Sequence, residues 1–286
     1  NKKKGSENMD KKELQNPALY TNRELSWLLF NKRVLSEARD KQLLLFERLK
    51  FLSITASNLD EFFMVRIGSL VDMIHAEYTK KDIAGMSAKE QLDALMEETH
   101  KFAALQYSTY NRMLLPQLRA NGLNFVEHHE QLTERQAQYV DEYFEENVYP
   151  VLTPMAVDSS RPFPLIRNKT LNIGALVAKK GEKDTEIEFA TVQVPSVLPR
   201  VVRIPAAKEG DTEVAVLLLE EIIERNISKL FLNYNVLCAH PFRITRNADL
   251  AIDEDEAEDL LLEIEKQIKK RTWGQAIRLE IEAAAD

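Results

Sequence analysis

An asparagine with two acidic neighbours lies within an otherwise apolar stretch, Ser57–Arg66 (SNLDEFFMVR). The Asn58 carboxamide offers a carbonyl oxygen and two N–H groups, a set that can pair with the edge of an adenine base. Asparagine also favours helix starts, where Asn58 would be the N-cap and Glu61 its partner three residues later. The residues alone favour the capping interpretation, and the adenine contact is the alternative.

Three arginines near predicted strands could bind phosphate, because a guanidinium group matches phosphate oxygens in pairs. They are Arg243, Arg246 and Arg278. Arg243 and Arg246 are three residues apart in one strand and should point to opposite faces, so only pairing with a neighbouring strand would bring two arginines together. The chain has 46 acidic against 38 basic residues, and spacing alone therefore favours ion pairs with acidic side chains over a phosphate path.

Other patterns that could support chemistry are weak. His128 and His129 are adjacent in VEHHEQL, but neighbouring side chains diverge and no further ligand is spaced nearby. The sequence therefore predicts a solvated loop there and no metal site, with metal binding as the minor alternative. The eight glycines form neither a phosphate-cradling loop nor a dinucleotide fingerprint, and no Ser/His/Asp set is recognisable. No catalytic residue is predicted within the chain.

The elements that must position these residues begin with helices. Thr21 with Glu24, and Ser87 with Glu90, each fit a capping box at a helix start. Apolar residues at helical spacing predict three helices before residue 76 and a long one after Ser87, which Pro116 disturbs and Asn121-Gly122 ends. A helical domain is therefore predicted over residues 20–118, after a disordered tail over residues 1–19.

Strand patterns dominate the rest of the chain. LNIGALVAKK and EIEFATVQV predict a hairpin, RVVRI and TEVAVLLL a second antiparallel pair, and HPFRITR and QAIRLEI further strands. An acidic helix is predicted between the last two, over residues 253–271. The fold class is therefore α+β: an all-helical N-terminal domain, then an α+β head domain over residues 119–286 with a mainly antiparallel or mixed sheet.

Composition limits the functional classes. The net charge of −8 argues against a nucleic-acid partner. No apolar run approaches the length of a transmembrane segment, and the polar N-terminus does not fit a secretory signal. One cysteine, Cys238, suits a reducing compartment, so a cytoplasmic location is expected, with peripheral membrane association left as an alternative.

Four segments together resemble polyphosphate kinase of the long, histidine-phosphorylating type. They are NRELSWLLFNKRVLSEARD, LFERLKFLSITASNLDEFFMVRIGSL, HPFRITRNADL and WGQAIRLEIE. The first two are similar to the family's N-terminal helical domain and the last two to its head domain. The resemblance runs in order from about Tyr20 to the end of the chain. One small departure is Leu44, where the family often has a proline.

The resemblance implies reversible transfer of the ATP γ-phosphate to inorganic polyphosphate, through a phosphohistidine and with magnesium. It places the family's ATP-contacting asparagine on Asn58. It also implies a homodimer or higher homo-oligomer formed through the head domain, which would border the polyphosphate path. On this basis Arg243, Arg246 and Arg278 are candidates to face polyphosphate.

The same resemblance puts the phosphorylated histidine and the magnesium site in later domains outside this chain. We therefore expect this chain to be an inactive N-terminal portion of an enzyme, with a head domain incomplete at its C-terminal end. The alternative is a non-catalytic module that binds nucleotide or polyphosphate and assembles on the same domains. Turnover by the full-length protein would distinguish the two.

Overall fold

The computed structural model describes residues 13–157, 164–181, 186–248, 274–283 and 285. These residues fall into two compact units that divide between Leu114 and Leu115, close to the boundary predicted after residue 118; Asn247 and Ala248 belong to the first unit. The predicted helix over 253–271 and residues 1–12 of the predicted tail lie outside the described residues. Residues 13–19 form two short 3-10 turns.

Four α-helices build the first unit, as the apolar spacing predicted. They are α1 (Arg23–Arg39), α2 (Leu45–Phe62), α3 (Gly68–His75) and α4 (Ala88–Thr109). Their core includes fully buried leucines of α1, α2 and α4, and Trp27 stacks on Phe62 with ring centroids 4.4 Å apart. The predicted Ser87–Glu90 capping box at the start of α4 is confirmed.

The predicted cap of α1 is wrong by one residue. Asn22, not Thr21, is the N-cap, and its side-chain oxygen accepts a hydrogen bond from Leu25 N at 3.0 Å. Glu24 does not reach back to the cap, because its carboxylate is held by the neighbouring Arg23 guanidinium at 2.7 Å. The N-cap is thus the asparagine that directly precedes the first helical residue, Arg23.

The interpretation of Asn58 as an N-cap is also wrong. Asn58 lies inside α2, and the helical backbone continues through a π-helical segment, Phe63–Ile67, directly into α3. Leu59, Phe62, Ile67 and Leu70 are all buried, so the apolar face passes through the polar stretch without a break. A continuous face favours an uninterrupted backbone, because every N–H then has a helical carbonyl acceptor.

The long α4 leads through a second π-helical segment, Tyr110–Leu114, into α5 (Leu115–Ala120). Pro116 lacks an N–H and cannot complete the helical ladder, which accounts for an irregular turn at this point. Gly122 follows with φ of +79°, a left-handed backbone conformation that ends the helix, as predicted.

The described residues of the second unit form two sheets, and its α+β class is confirmed. One has the strand order β1-β6-β5 and the other β2-β4-β3-β7-β8. Every pairing is antiparallel except β1 with β6, so the first sheet is mixed. The strands are β1 (Leu123–Val126), β2 (Pro154–Val157), β3 (Leu171–Lys179), β4 (Ile187–Gln193), β5 (Val201–Ile204), β6 (Val214–Leu218), β7 (Tyr234–Arg246) and β8 (Ala276–Ile281).

Besides α5, the described residues of this unit form the helices α6 (Glu134–Tyr143) and α7 (Leu219–Arg225). Leu219, Ile222 and Ile223 of α7 are buried in one core with alternate residues of β3, such as Ile173 and Val177. Packing the apolar face of α7 in this core leaves Glu221 and Glu224, three residues apart, on a common polar side of the helix. Among the described residues, no helix combines the length and the apolar character needed to cross a bilayer.

Candidate functional site

Asn58 belongs to a polar network between three helices, defined here as the interhelical polar network and made of Asn31, Thr55, Asn58 and Gln106. Asn58 Nδ2 donates to Asn31 Oδ1 at 3.1 Å, and Asn31 Nδ2 donates to the Thr55 carbonyl at 3.1 Å. Gln106 Nε2 donates to Thr55 Oγ1 at 3.0 Å. Asn31 and Thr55 are completely buried, so these hydrogen bonds satisfy groups that water cannot reach.

Asn58 differs from the rest of this network by being partly exposed. Within the described part of the chain, its side chain makes a single hydrogen bond, the one to Asn31. One amide hydrogen and the carbonyl oxygen therefore remain available for a donor–acceptor pair on a ligand. Asn31 fixes the direction of the carboxamide, so Asn58 is oriented before any ligand binds.

Arg243 and Arg278 converge on one carboxylate in the second unit. Arg243 pairs with Glu280 across the β7–β8 ladder, and its Nε lies 2.8 Å from Glu280 Oε2. Arg278 Nη2 lies 3.0 Å from Glu280 Oε1. The ladder thus brings two of the three predicted arginines to one face, and each is ion-paired, as the spacing favoured.

Arg246 is separated from this pair by an irregularity in the ladder between Thr245 and Arg246. Its guanidinium donates to the carbonyl oxygens of Ile166 at 2.8 Å and Gly274 at 2.9 Å, and its backbone N–H donates to Asn168 Oδ1. The side chain therefore joins β7 to two other segments. Its contacts are those of a structural residue, and a role for any of the three arginines in polyphosphate binding stays a prediction.

The adjacent histidines lie beside carboxylates from distant parts of the chain. The backbone N–H of His129 donates to Glu221 Oε2 at 2.9 Å, and His129 Nδ1 lies 3.3 Å from the same oxygen. His128 Nδ1 lies 3.8 Å from Glu221 Oε1 and 3.9 Å from Glu282 Oε1. Glu221 and Glu282, which are distant from these histidines in the sequence, are therefore close to them in space.

A third histidine extends this group. His240 Nδ1 lies 2.9 Å from Glu282 Oε2, and Glu224 stands close to both residues. Burial, reinforced by the charges of neighbouring carboxylates, raises the pKa of Glu224 to about 8. Burial also raises the pKa of Glu221, against the opposing hydrogen bonds from His129. We call the whole group the histidine–glutamate cluster: His128, His129, Glu130, Glu221, Glu224, His240 and Glu282.

Sequence reasoning missed this cluster because its members come from four separate segments. The only local signal was the i, i+3 spacing of Glu221 and Glu224 on a helix whose other face is apolar. His240 begins a segment that was predicted as a strand and Glu282 directly follows another, yet the pairing of these strands could not be assigned from the sequence.

Two family models match the chain in order. The polyphosphate kinase N-terminal domain matches residues 20–126, and the polyphosphate kinase middle domain matches residues 135–286. The chain belongs to the polyphosphate kinase family.

Polyphosphate kinases of several bacteria are similar to almost the whole chain. The protein of Halalkalibacterium halodurans is 48% identical over 94% of this chain and that of Lactiplantibacillus plantarum 48% identical over 92%. The crystal structure of polyphosphate kinase from Porphyromonas gingivalis has 28% identity and a TM-score of 0.70, and the match covers 88% of this chain. The chain spans only 38% of the first relative and 38% of the Porphyromonas chain.

Proposed function

We propose that this chain is the N-terminal and middle portion of a cytoplasmic polyphosphate kinase that reversibly transfers the ATP γ-phosphate to inorganic polyphosphate. The observation that carries the proposal is the match of both family domains, in order, over residues 20–126 and 135–286. The phosphohistidine and the magnesium ion belong, on the family resemblance, to domains outside this chain. No residue here is proposed to carry the phosphoryl group or to bind that magnesium.

Asn58 is the residue we propose for contact with the adenine of ATP. Three observations support this role: its partial exposure, its unused amide hydrogen and carbonyl, and the fixed orientation that Asn31 imposes. A donor and an acceptor on one rigid carboxamide match the adjacent acceptor and donor on adenine. Because the contact orients the base rather than the reacting phosphate, it contributes to nucleotide affinity more than to the chemical step.

The head domain is proposed to contribute the subunit contact and part of a polyphosphate path. Arg243 and Arg278 support the second role, since they gather on one face around a single carboxylate. A polyanion could compete with Glu280 for these guanidinium groups, which suit bidentate contacts. Arg246 is a weaker candidate, because its donors are engaged by backbone carbonyls.

The decisive experiment measures turnover by the full-length protein in both directions. A luciferase assay detects ATP formed from ADP and polyphosphate, and consumption of ATP measures polyphosphate synthesis. We expect Mg²⁺-dependent activity in both directions and none from the 286-residue chain by itself. Asn58→Ser should raise the KM for ATP by about tenfold, the loss of roughly one hydrogen bond of 1.4 kcal/mol, with little change in kcat. Exposed Ser57→Ala on the same helix is the matched control.

Two outcomes would contradict the proposal separately. A folded full-length protein without turnover would favour the non-catalytic binding module. An unchanged KM for ATP in Asn58→Ser, with wild-type activity otherwise, would remove the adenine contact while leaving the enzyme assignment intact.

A further inference from the structure

The histidine–glutamate cluster contains a triad that joins three elements of the second unit. Glu224 lies on α7, His240 on β7, and Glu282 directly after β8. One ligand-type atom from each residue lies within 4.8 Å of the other two. All three side chains are partly buried, so the triad is neither a fully solvated surface group nor a sealed core cluster.

Carboxylates predominate in this cluster. Four glutamates meet three histidines there within the described part of the chain. The Glu224 carboxylate makes no hydrogen bond or ion pair within the described part of the chain. A partly buried carboxylate among other carboxylates is stabilised by a bound cation or a proton, and a cation can also satisfy its neighbours.

The types of donor select the class of cation. Two carboxylates and one imidazole fit the nitrogen- and oxygen-binding divalent ions of the first transition row, of which Zn²⁺ is the commonest in proteins. Ca²⁺ requires six to eight oxygen ligands and Mg²⁺ prefers an octahedral oxygen shell, so neither matches a triad that includes a histidine. Ligands of tetrahedral Zn²⁺ lie about 3.4 Å apart, a spacing that rotation of these side chains can reach.

We propose that Glu224, His240 and Glu282 bind one divalent transition-metal ion of the Zn²⁺ class. His128, 3.9 Å from Glu282, lies where it can supply a fourth ligand or hold the Glu282 carboxylate in position. The more exposed group of His128, Glu130 and Glu221 is not the primary site, because Glu221 already accepts the backbone N–H of His129. The ion would tie α7 and the end of the edge strand β8 to β7. This inference is independent of the proposed enzymatic function.

The test titrates metal into the purified protein after removal of bound metal with EDTA. We expect one Co²⁺ per chain, with visible absorption of the intensity typical of four- or five-coordinate cobalt, displaced by one equivalent of Zn²⁺. The melting temperature should rise with Zn²⁺ and not with the same concentration of Mg²⁺, because only an ion that binds the folded state stabilises it.

The variants assign the ligands. Glu224→Gln and His240→Gln should each weaken Zn²⁺ affinity at least 100-fold, whereas the exposed controls Glu146→Gln and His100→Gln should leave it unchanged. Glu282→Gln replaces either variant if it fails to fold. Three results would overturn the proposal: folded wild-type protein without a cobalt spectrum, wild-type zinc affinity in the triad variants, or equal stabilisation by Mg²⁺ and Zn²⁺.

Discussion

Replacing Asn58 by alanine separates its structural role from its proposed contact with ATP. The change removes the donor to Asn31 Oδ1 and leaves the carboxamide oxygen of a completely buried residue without its partner. An unsatisfied buried acceptor costs about 1–3 kcal/mol. Because alanine is the better helix former at an interior position, the substitution also raises the free energy of unfolding by about 0.5 kcal/mol. The expected net loss of unfolding free energy is therefore about 0.5–2.5 kcal/mol.

A double-mutant cycle with Asn31→Ala isolates this hydrogen bond. Once Asn31 is alanine, no buried acceptor is left behind, so Asn58→Ala should be neutral or stabilising by about 0.5 kcal/mol. The coupling between the two positions should thus be about 1–3 kcal/mol.

Urea unfolding followed by tryptophan fluorescence can measure the cycle. Trp27 stacks on Phe62 within the same unit and reports its unfolding. The second tryptophan, Trp273, is replaced by phenylalanine in all four proteins so that the signal has one source. A coupling below about 0.5 kcal/mol, with unchanged slopes of the unfolding curves, would show that Asn31 does not hold Asn58.

Three further predictions concern the second unit. The Arg225 guanidinium lowers the pKa of Asp141, so the Asp141 carboxylate stabilises the folded state. After allowance for solvent screening, Asp141→Asn should lower the free energy of unfolding by about 1 kcal/mol at pH 7. In urea unfolding, this difference from wild type should disappear as the pH falls through the lowered pKa of Asp141. Arg246→Gln should lower the melting temperature in thermal scans, because two backbone carbonyls lose their donor. Arg243→Gln should leave folding nearly intact and weaken polyphosphate binding in filter assays, most strongly at low salt. If the two variants showed the reverse pattern, the structural and the polyphosphate-binding roles of these arginines would be exchanged. Sedimentation of residues 119–286 should reveal the dimer and that of residues 1–118 a monomer; a dimeric helical piece with a monomeric head piece would contradict the assignment.

Patterns that act within a few residues could be predicted from the sequence. The capping box at Ser87, the hairpin of β3 and β4, and the helix end at Gly122 each depend on local hydrogen bonds or backbone conformation. The same local rules assigned Asn58 wrongly to an N-cap. An Asn followed three residues later by Glu fits a capping box at a helix start, but the same residues can also occur inside a continuous helix. Asn58 lies inside the helix because the apolar face of α2 continues past it. That face stabilises an unbroken helix only when α2 packs against α1 and α4, which the local sequence does not show.

Contacts between distant segments could not be predicted. Arg243 and Arg278 meet at Glu280 only because β7 and β8 pair in one particular register. A shift of one residue would send these side chains to opposite faces. The histidine–glutamate cluster requires α7, β7 and the end of β8 to be placed together, and residue spacing contains no information on that placement.

The parallel pairing of β1 with β6 has a consequence for synthesis on the ribosome. Leu123 pairs with Val214, so β1 must wait for a long stretch of chain to emerge before its partner exists. Meanwhile the helical unit needs nothing beyond the contacts of its own sequence neighbourhood, apart from Asn247 and Ala248. Local contacts form fast and distant strand pairings slowly. The nascent chain should therefore carry an early helical globule followed by an exposed strand, which makes β1 the segment that chaperones have most reason to shield.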